Sequence, residues 1–129
     1  MKISHVIIPK GMRPTPEKFE LTAADILLGY FEYDLEFVLR KVNATPDFVI
    51  NGVAWELKSP TGKGKRNVQH QFNRALKQSR NIIFDARQSK MDIRKIRNQL
   101  NYFTKKAKRS KAISRLLLIN KESKIEVIK

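Results

Sequence analysis

The chain has 129 residues, 41% of them hydrophobic, and a formal net charge of +15. That length builds one domain with a real core and is short for two. There is no cysteine, which excludes disulfides, thiolate catalysis and Cys-based zinc sites, and no apolar run approaches a membrane span.

The N-terminal residues lack the apolar core of a signal peptide. The expectation is therefore a soluble chain without membrane contact that acts in the cytoplasm, or is delivered there by something outside this sequence. Residues 2–9 fit a short strand or an ordered N-terminal arm. Pro14 and Pro16 precede a helical pattern from about Glu17 to Gly29, with Phe19, Ala23, Ile26 and Leu27 on one side. Asp34 to Arg40 alternates as a strand, with Leu35, Phe37 and Leu39 on one face.

The stretch from Asp47 to Lys58 is the most informative in the chain. Asn51-Gly52 lies between two apolar-rich runs, the strongest short-range hairpin signal, because both central residues of a type I′ turn need positive φ. A two-residue turn there pairs Ile50 with Val53, Phe48 with Trp55, and Asp47 with Glu56. Alternation then puts Phe48, Ile50, Val53, Trp55 and Leu57 on one apolar face, and Asp47, Val49, Ala54, Glu56 and Lys58 on the other. Trp55 is thereby turned into the core with Phe48 rather than outward for base stacking.

Ser59 to Arg66 reads as a polar Gly/Pro loop carrying the first basic cluster. Asn67 to Ser79 reads as a helix with Val68, Phe72, Ala75, Leu76 and Ser79 as its buried stripe. Asn67, Gln71, Arg74 and Gln78 form a polar seam beside that stripe. Asn81 to Asp85 is a nearly continuous apolar run suited to a buried strand. Met91 to Lys106 is a second helix, with apolar Ile93, Ile96, Leu100 and Phe103, and it leads into Lys105, Lys106, Lys108, Arg109 and Lys111. Arg115 to Ile119 and Lys124 to Ile128 close the chain as strands. The order predicts an α/β domain with a mixed sheet flanked by helices.

Charge is distributed unevenly along this order. Residues 1–59 hold seven Lys/Arg against eight Asp/Glu, a net of −1, and residues 60–129 hold twenty against four, a net of +16. A one-sided excess of this size is the footprint of a phosphate-backbone binder. The basic half alternates with apolar segments of the fold, which argues against a tail resting on anionic lipid. Lys63, Lys65, Arg66, Arg74, Lys105, Lys106, Lys108 and Arg109 are the candidate phosphate contacts, positioning substrate without reading its sequence.

Carboxylates placed opposite each other on paired strands repel unless something cationic sits between them. Lys58 is one candidate for that cation and a bound divalent metal is the other. The arrangement looks like an active site, and the resemblance drawn below implies phosphodiester hydrolysis as its reaction. Asp47 and Glu56, with the Leu57 backbone carbonyl as a further oxygen, suit Mg²⁺ or another divalent cation such as Mn²⁺ or Zn²⁺. Lys58, two residues along on the same face, suits positioning the attacking water or steadying the charge that develops. The structural alternative is an exposed, salt-bridged strand face. His70 falls on the solvent side of its helix, away from the seam, and His5 has no evident partner.

Pro46-Asp47, followed across a hairpin by Glu56-Leu57-Lys58, resembles the PD-(D/E)XK nuclease superfamily, whose αβββαβ core matches residues 17–85 in order. The longer string Thr45-Pro46-Asp47, Gly52, Trp55-Glu56-Leu57-Lys58-Ser59-Pro60 and Gln78-Ser79-x-Asn81-Ile82-Ile83-x-Asp85 resembles the C-terminal tRNA-nuclease toxin domains of CdiA contact-dependent inhibition proteins and related mobile-element and phage proteins. The likeness spans about residues 17–119. It implies a single nuclease domain over 1–129, with a catalytic core at about 17–85 and a basic C-terminal helix and strands at 86–129. It also implies a further acid from the first helix, Glu20 or else Glu17, which would join Asp47 and Glu56 at the metal. Gln78 falls on the family's recurring Gln, and the likeness implies that it binds the metal water or a phosphate oxygen, against a helix–sheet hydrogen bond as the alternative. The implied substrate is tRNA or other structured RNA. A DNA endonuclease of restriction, repair or junction-resolving type and a non-catalytic basic nucleic-acid-binding protein are the alternatives. A toxin of this kind implies a small acidic immunity protein as partner, whereas a mobile-element nuclease implies none.

Overall fold

In the computed structural model, residues 3–39, 45–62, 65–105 and 110–129 are described, with the backbone alone at Lys65, Arg66, Asn67 and Ser110. The sheet is organised around the Asn51-Gly52 turn, whose φ angles of 49° and 78° are the two positive values a type I′ turn requires. It joins β3 (Phe48–Ile50) to β4 (Val53–Lys58) in the predicted register, Phe48 opposite Trp55 and Ile50 opposite Val53. β2 (Leu35–Phe37) runs antiparallel to β3, and β1 (Val6–Ile7) adds parallel to β2.

On its other side β4 pairs in parallel with β5 (Asn81–Asp85), and β5 pairs in parallel with β6 (Arg115–Ile119). α2 (Lys65–Leu76) and α3 (Ile93–Lys105) make the two crossovers, and β7 (Ile125–Val127) closes antiparallel on β6. The result is a seven-stranded mixed sheet whose spatial order is the sequence order, β1 to β7. Two successive crossovers of the same hand in the same direction place both helices on one face, and α1 (Lys18–Phe31) covers the other. The mixed α/β class is the one expected.

Each face has its own core. Ala23, Ala24 and Leu27 of α1 pack with Phe37, Phe48, Trp55, Ile83 and Leu117. Val68 and Phe72 of α2 and Ile96 and Leu100 of α3 pack with Ile82, Phe84, Leu116 and Leu118. β5 and β6 are therefore buried on both sides, which is why they read as unbroken apolar runs.

Several expectations are corrected at the edges of elements. β2 ends at Phe37 and Leu39 is 44% exposed, so the third apolar residue of the predicted strand lies outside it. α2 begins two residues before Asn67, taking Lys65 and Arg66 out of the loop and into its first turn, and it ends at Leu76. Ser79 is thus beyond the helix rather than on its buried stripe, and its Oγ donates to the Ala54 carbonyl (3.0 Å). On α1 the inward face includes a carboxylate, Glu20, which apolar periodicity does not mark. Among the described residues no helix is long and apolar enough to cross a membrane.

The turn gives a direct test. A Cβ at Gly52 would meet no atom within 4 Å, so any cost of adding one comes from the backbone alone. Gly52→Ala should lower stability by about 1–2 kcal/mol, the cost of left-handed backbone for an L-residue, measured as a lower urea midpoint at unchanged slope.

Candidate active site

β4 carries Glu56 and Lys58 on one face because they are two residues apart. Lys58 Nζ lies 3.1 Å from Glu56 Oε2, with the two side chains 18% and 3% exposed. Asp47 stands just ahead of β3 and is held by backbone on both sides. Its N–H donates to the Trp55 carbonyl (3.0 Å), and its carbonyl accepts from the Val38 N–H (2.9 Å). Its carboxylate accepts from the Leu57 N–H (2.7 Å) and hydrogen-bonds the Glu56 carboxyl. Asp47 and Glu56 line one cavity of about 400 Å³ together with Glu17, Glu20 and Gln78, although the paired register ends at Phe48 and Trp55 and leaves Asp47 outside β3.

Burial, the Asp47 charge and the hydrogen bond with Asp47 push the Glu56 carboxyl up to about 8, and the Lys58 ammonium only partly opposes them. The Lys58 ammonium therefore offsets only part of what burial and Asp47 impose on Glu56. Glu56 Oε1 and Gln78 Oε1 are buried with no hydrogen-bond partner. The N–H and C=O of one strand residue point to the same side, so the Leu57 carbonyl opens toward Asp47. Two carboxylates, an amide oxygen and a backbone carbonyl form an all-oxygen donor set of the kind hard divalent cations take. Among the described residues no three His, Cys, Asp or Glu side chains gather as a metal cluster. Glu20 lines the cavity, 7% exposed, with Oε1 accepting from the Glu17 N–H (3.0 Å) in the helix cap.

A second group of residues, to which the sequence reading gave no role, fixes α1 over this cavity. Arg87 pairs with the buried Asp85 at the end of β5 (2.7 Å) and reaches Thr22 Oγ1 (3.1 Å) and the Phe19 carbonyl (3.2 Å) on α1. Ser59 Oγ donates to the same Asp85 carboxylate (3.3 Å). The signal was an acid closing an apolar strand with an arginine two residues on. Its partners sit 65 and 68 residues away, beyond local patterning. Ser79 and the Asn81 amide both donate to the Ala54 carbonyl (3.0 and 3.1 Å), which holds the segment bearing Gln78 against β4.

None of the other described candidates lines the cavity. Arg74 and Lys105 are exposed on α2 and α3. Lys65 and Arg66 occupy the first turn of α2, and Lys63, Lys106, Lys108 and Arg109 lie outside the described residues. Gln71 is half-buried but does not line the cavity. His70 is exposed as expected. His5 is exposed too, and its backbone N–H donates to Asp34 Oδ1 (2.8 Å).

Residues 44–125 match the family of contact-dependent growth inhibition CdiA C-terminal domains. The fold is similar to that of a chain in a CdiA-CT/CdiI toxin and immunity complex from Burkholderia pseudomallei. That likeness has a TM-score of 0.65 and 19% identity, over 98% of each chain. No curated relative matches the chain.

Two measurements check the geometry. Arg87→Ala leaves Asp85 buried without its partner and should cost about 3 kcal/mol, the low end for breaking a buried pair, read by urea unfolding. Folded Glu56 keeps its proton to about pH 8, whereas the unfolded chain releases it near 4.5, so the folded state holds the extra proton between them. Stability of the protein in EDTA should fall as pH rises through that window. Glu56→Gln should flatten the slope and raise Tm at pH 8 by several degrees.

Proposed function

Since the chain belongs to the family of contact-dependent growth inhibition CdiA C-terminal domains, we propose that it is a toxin with metal-dependent endonuclease activity of the PD-(D/E)XK kind, cutting tRNA or other structured RNA. One observation carries the reading: Asp47, Glu56 and Lys58 line one cavity, with Lys58 Nζ 3.1 Å from Glu56 Oε2 and the Glu56 carboxyl pushed up to about 8 by burial and by the Asp47 charge. The order α1, β2, β3, β4, α2, β5, with Pro46-Asp47 and Glu56-Leu57-Lys58 on the central hairpin, supports it. A protein that merely bound nucleic acid would have no use for a repelling pair at the mouth of a cavity.

Asp47, Glu56, the Leu57 carbonyl and Gln78 would hold Mg²⁺, or Mn²⁺ or Zn²⁺ in its place, with Glu20 at the wall of the cavity. When bound, the cation supplies Lewis-acid polarisation of the phosphoryl oxygen and a lowered pKa for water. Lys58 does the rest from this chain. Glu56 Oε2 holds its ammonium beside the reacting phosphate, where it orients the attacking water and offsets charge on the equatorial oxygens. Asp47 fixes Glu56 by hydrogen bond and is itself fixed by the Leu57 N–H. The basic residues of the second half, Arg74 and Lys105 among them, hold the substrate backbone and make binding salt-dependent.

By likeness to the toxin and immunity complex, a small immunity protein is the partner, acidic so as to complement the +16 of residues 60–129. The whole chain acts as one nuclease domain, with its core at about 17–85, in the cytoplasm of the cell it enters.

Incubation with tRNA and with duplex DNA in Mg²⁺, with an EDTA control, tests the proposal. RNA should be cut, DNA spared, and EDTA should stop the reaction. Glu56→Ala and Lys58→Ala should each lower cleavage by at least 10²-fold, about the loss of one preorganised charge contact, with RNA affinity within a factor of about two. Parent-level cleavage by either variant refutes the mechanism, cleavage of DNA alone reassigns the substrate, and intact nucleic acid bound without metal marks a binding protein.

A further inference from the structure

A second cavity, of about 440 Å³, opens at the far end of α1. Tyr30 and Phe31 of its last turn, Tyr33 beyond it, Trp55 of β4 and Arg115 of β6 line that cavity. Tyr30 and Tyr33 are 46% and 41% exposed. Trp55 is turned inward with Phe48, as the register predicts, yet its edge borders this space. Its ring packs against Phe31, centroids 5.6 Å apart, and Phe31 meets Tyr30 edge-on at 5.0 Å. Trp55 Nε1 is buried and has no acceptor. The Arg115 guanidinium is oriented by Asn81 Oδ1 (3.2 Å).

Aromatic walls and a guanidinium at one opening select a particular chemistry. Aromatic faces stack any nucleobase, and a phosphate would meet Arg115. An aliphatic ligand would leave the guanidinium unused, and a simple anion would leave the aromatic wall unused. We propose that this cavity holds one nucleotide of the substrate strand, its base against Tyr30, Phe31 and Trp55 and its phosphate on Arg115. The identity of the strand rests on the nuclease reading. Val53 borders this cavity and Lys58 the acidic one, both on β4. At about 3.3 Å per residue they are about 17 Å apart along β4, farther than a dinucleotide spans at about 3.4 Å per step.

Trp55 is the sole tryptophan of the chain, so its emission reports the cavity directly. The protein in EDTA, where no cleavage occurs, is titrated with a 12-nucleotide RNA and separately with AMP, CMP, GMP and UMP. RNA should quench Trp55 saturably, and the mononucleotides should do so more weakly. Tyr30→Ala and Arg115→Glu, both at exposed positions, should weaken RNA quenching at least tenfold. In Mg²⁺ they should raise KM for the 12-mer about tenfold at unchanged kcat and leave cleavage of a dinucleotide unchanged. Emission that does not respond, responds to mononucleotides but not RNA, or responds equally in both variants overturns the assignment. So does quenching by toluene without quenching by any nucleotide. The two readings fail separately. Saturable quenching with RNA left intact in Mg²⁺ sinks the nuclease and keeps the cavity, and cleavage with silent Trp55 does the reverse.

Discussion

Two carboxyl groups held in hydrogen-bonding contact inside a partly closed cavity cannot both be ionised without a compensating cation. The pair formed by Asp47 and Glu56 meets this condition, and much of the fold serves to keep it in place. The type I′ turn sets the register of the hairpin that carries Glu56, and backbone bonds with Val38 and with Trp55 of β4 pin Asp47 beside it. The parallel pairing with β5 fixes the strand that carries Glu56 and Lys58. The Glu56 carboxyl is raised to about 8 by burial first and by the Asp47 charge second. Under the proposed reading, a proton and a divalent cation are alternative occupants of the same oxygens, the usual linkage between metal binding and pH.

α1 is fixed with comparable care, and by different means. Its first turn brings Glu20 to the acidic cavity and its last brings Tyr30 and Phe31 to the aromatic one. Arg87 bonds this helix to the end of β5 through Asp85, so the helix and the hairpin are not free to drift relative to each other. The apolar contacts of Ala23, Ala24 and Leu27 with the sheet add no direction of their own, and the polar clamp supplies it.

The parts of this structure that were legible in the sequence are those governed by neighbours along the chain. Asn51-Gly52 determines which residues face each other from Phe48 to Trp55, so the inward turn of Trp55 and the shared face of Glu56 and Lys58 follow from counting. Periodicity found all three helices within a few residues, and unbroken apolar runs found the doubly covered β5 and β6. Leu39 and Ser79 were misplaced because the periods continue in the sequence past the points where the backbone hydrogen bonds end. Glu20 reached the cavity through family likeness, since a buried acid on a helix carries no apolar signal. The Asp85–Arg87 clamp and the aromatic cavity depend on contacts between residues far apart in the chain, and no local pattern encodes them.

The strand order has a consequence for how the chain folds. Because spatial order equals sequence order, no strand has to be inserted between two that are already paired. The sheet can be built by accretion from the central hairpin, outward in both directions, each new strand docking on an open edge. Every closure is then made between consecutive elements, and the entropy of forming loops is met in small increments rather than in one long-range step.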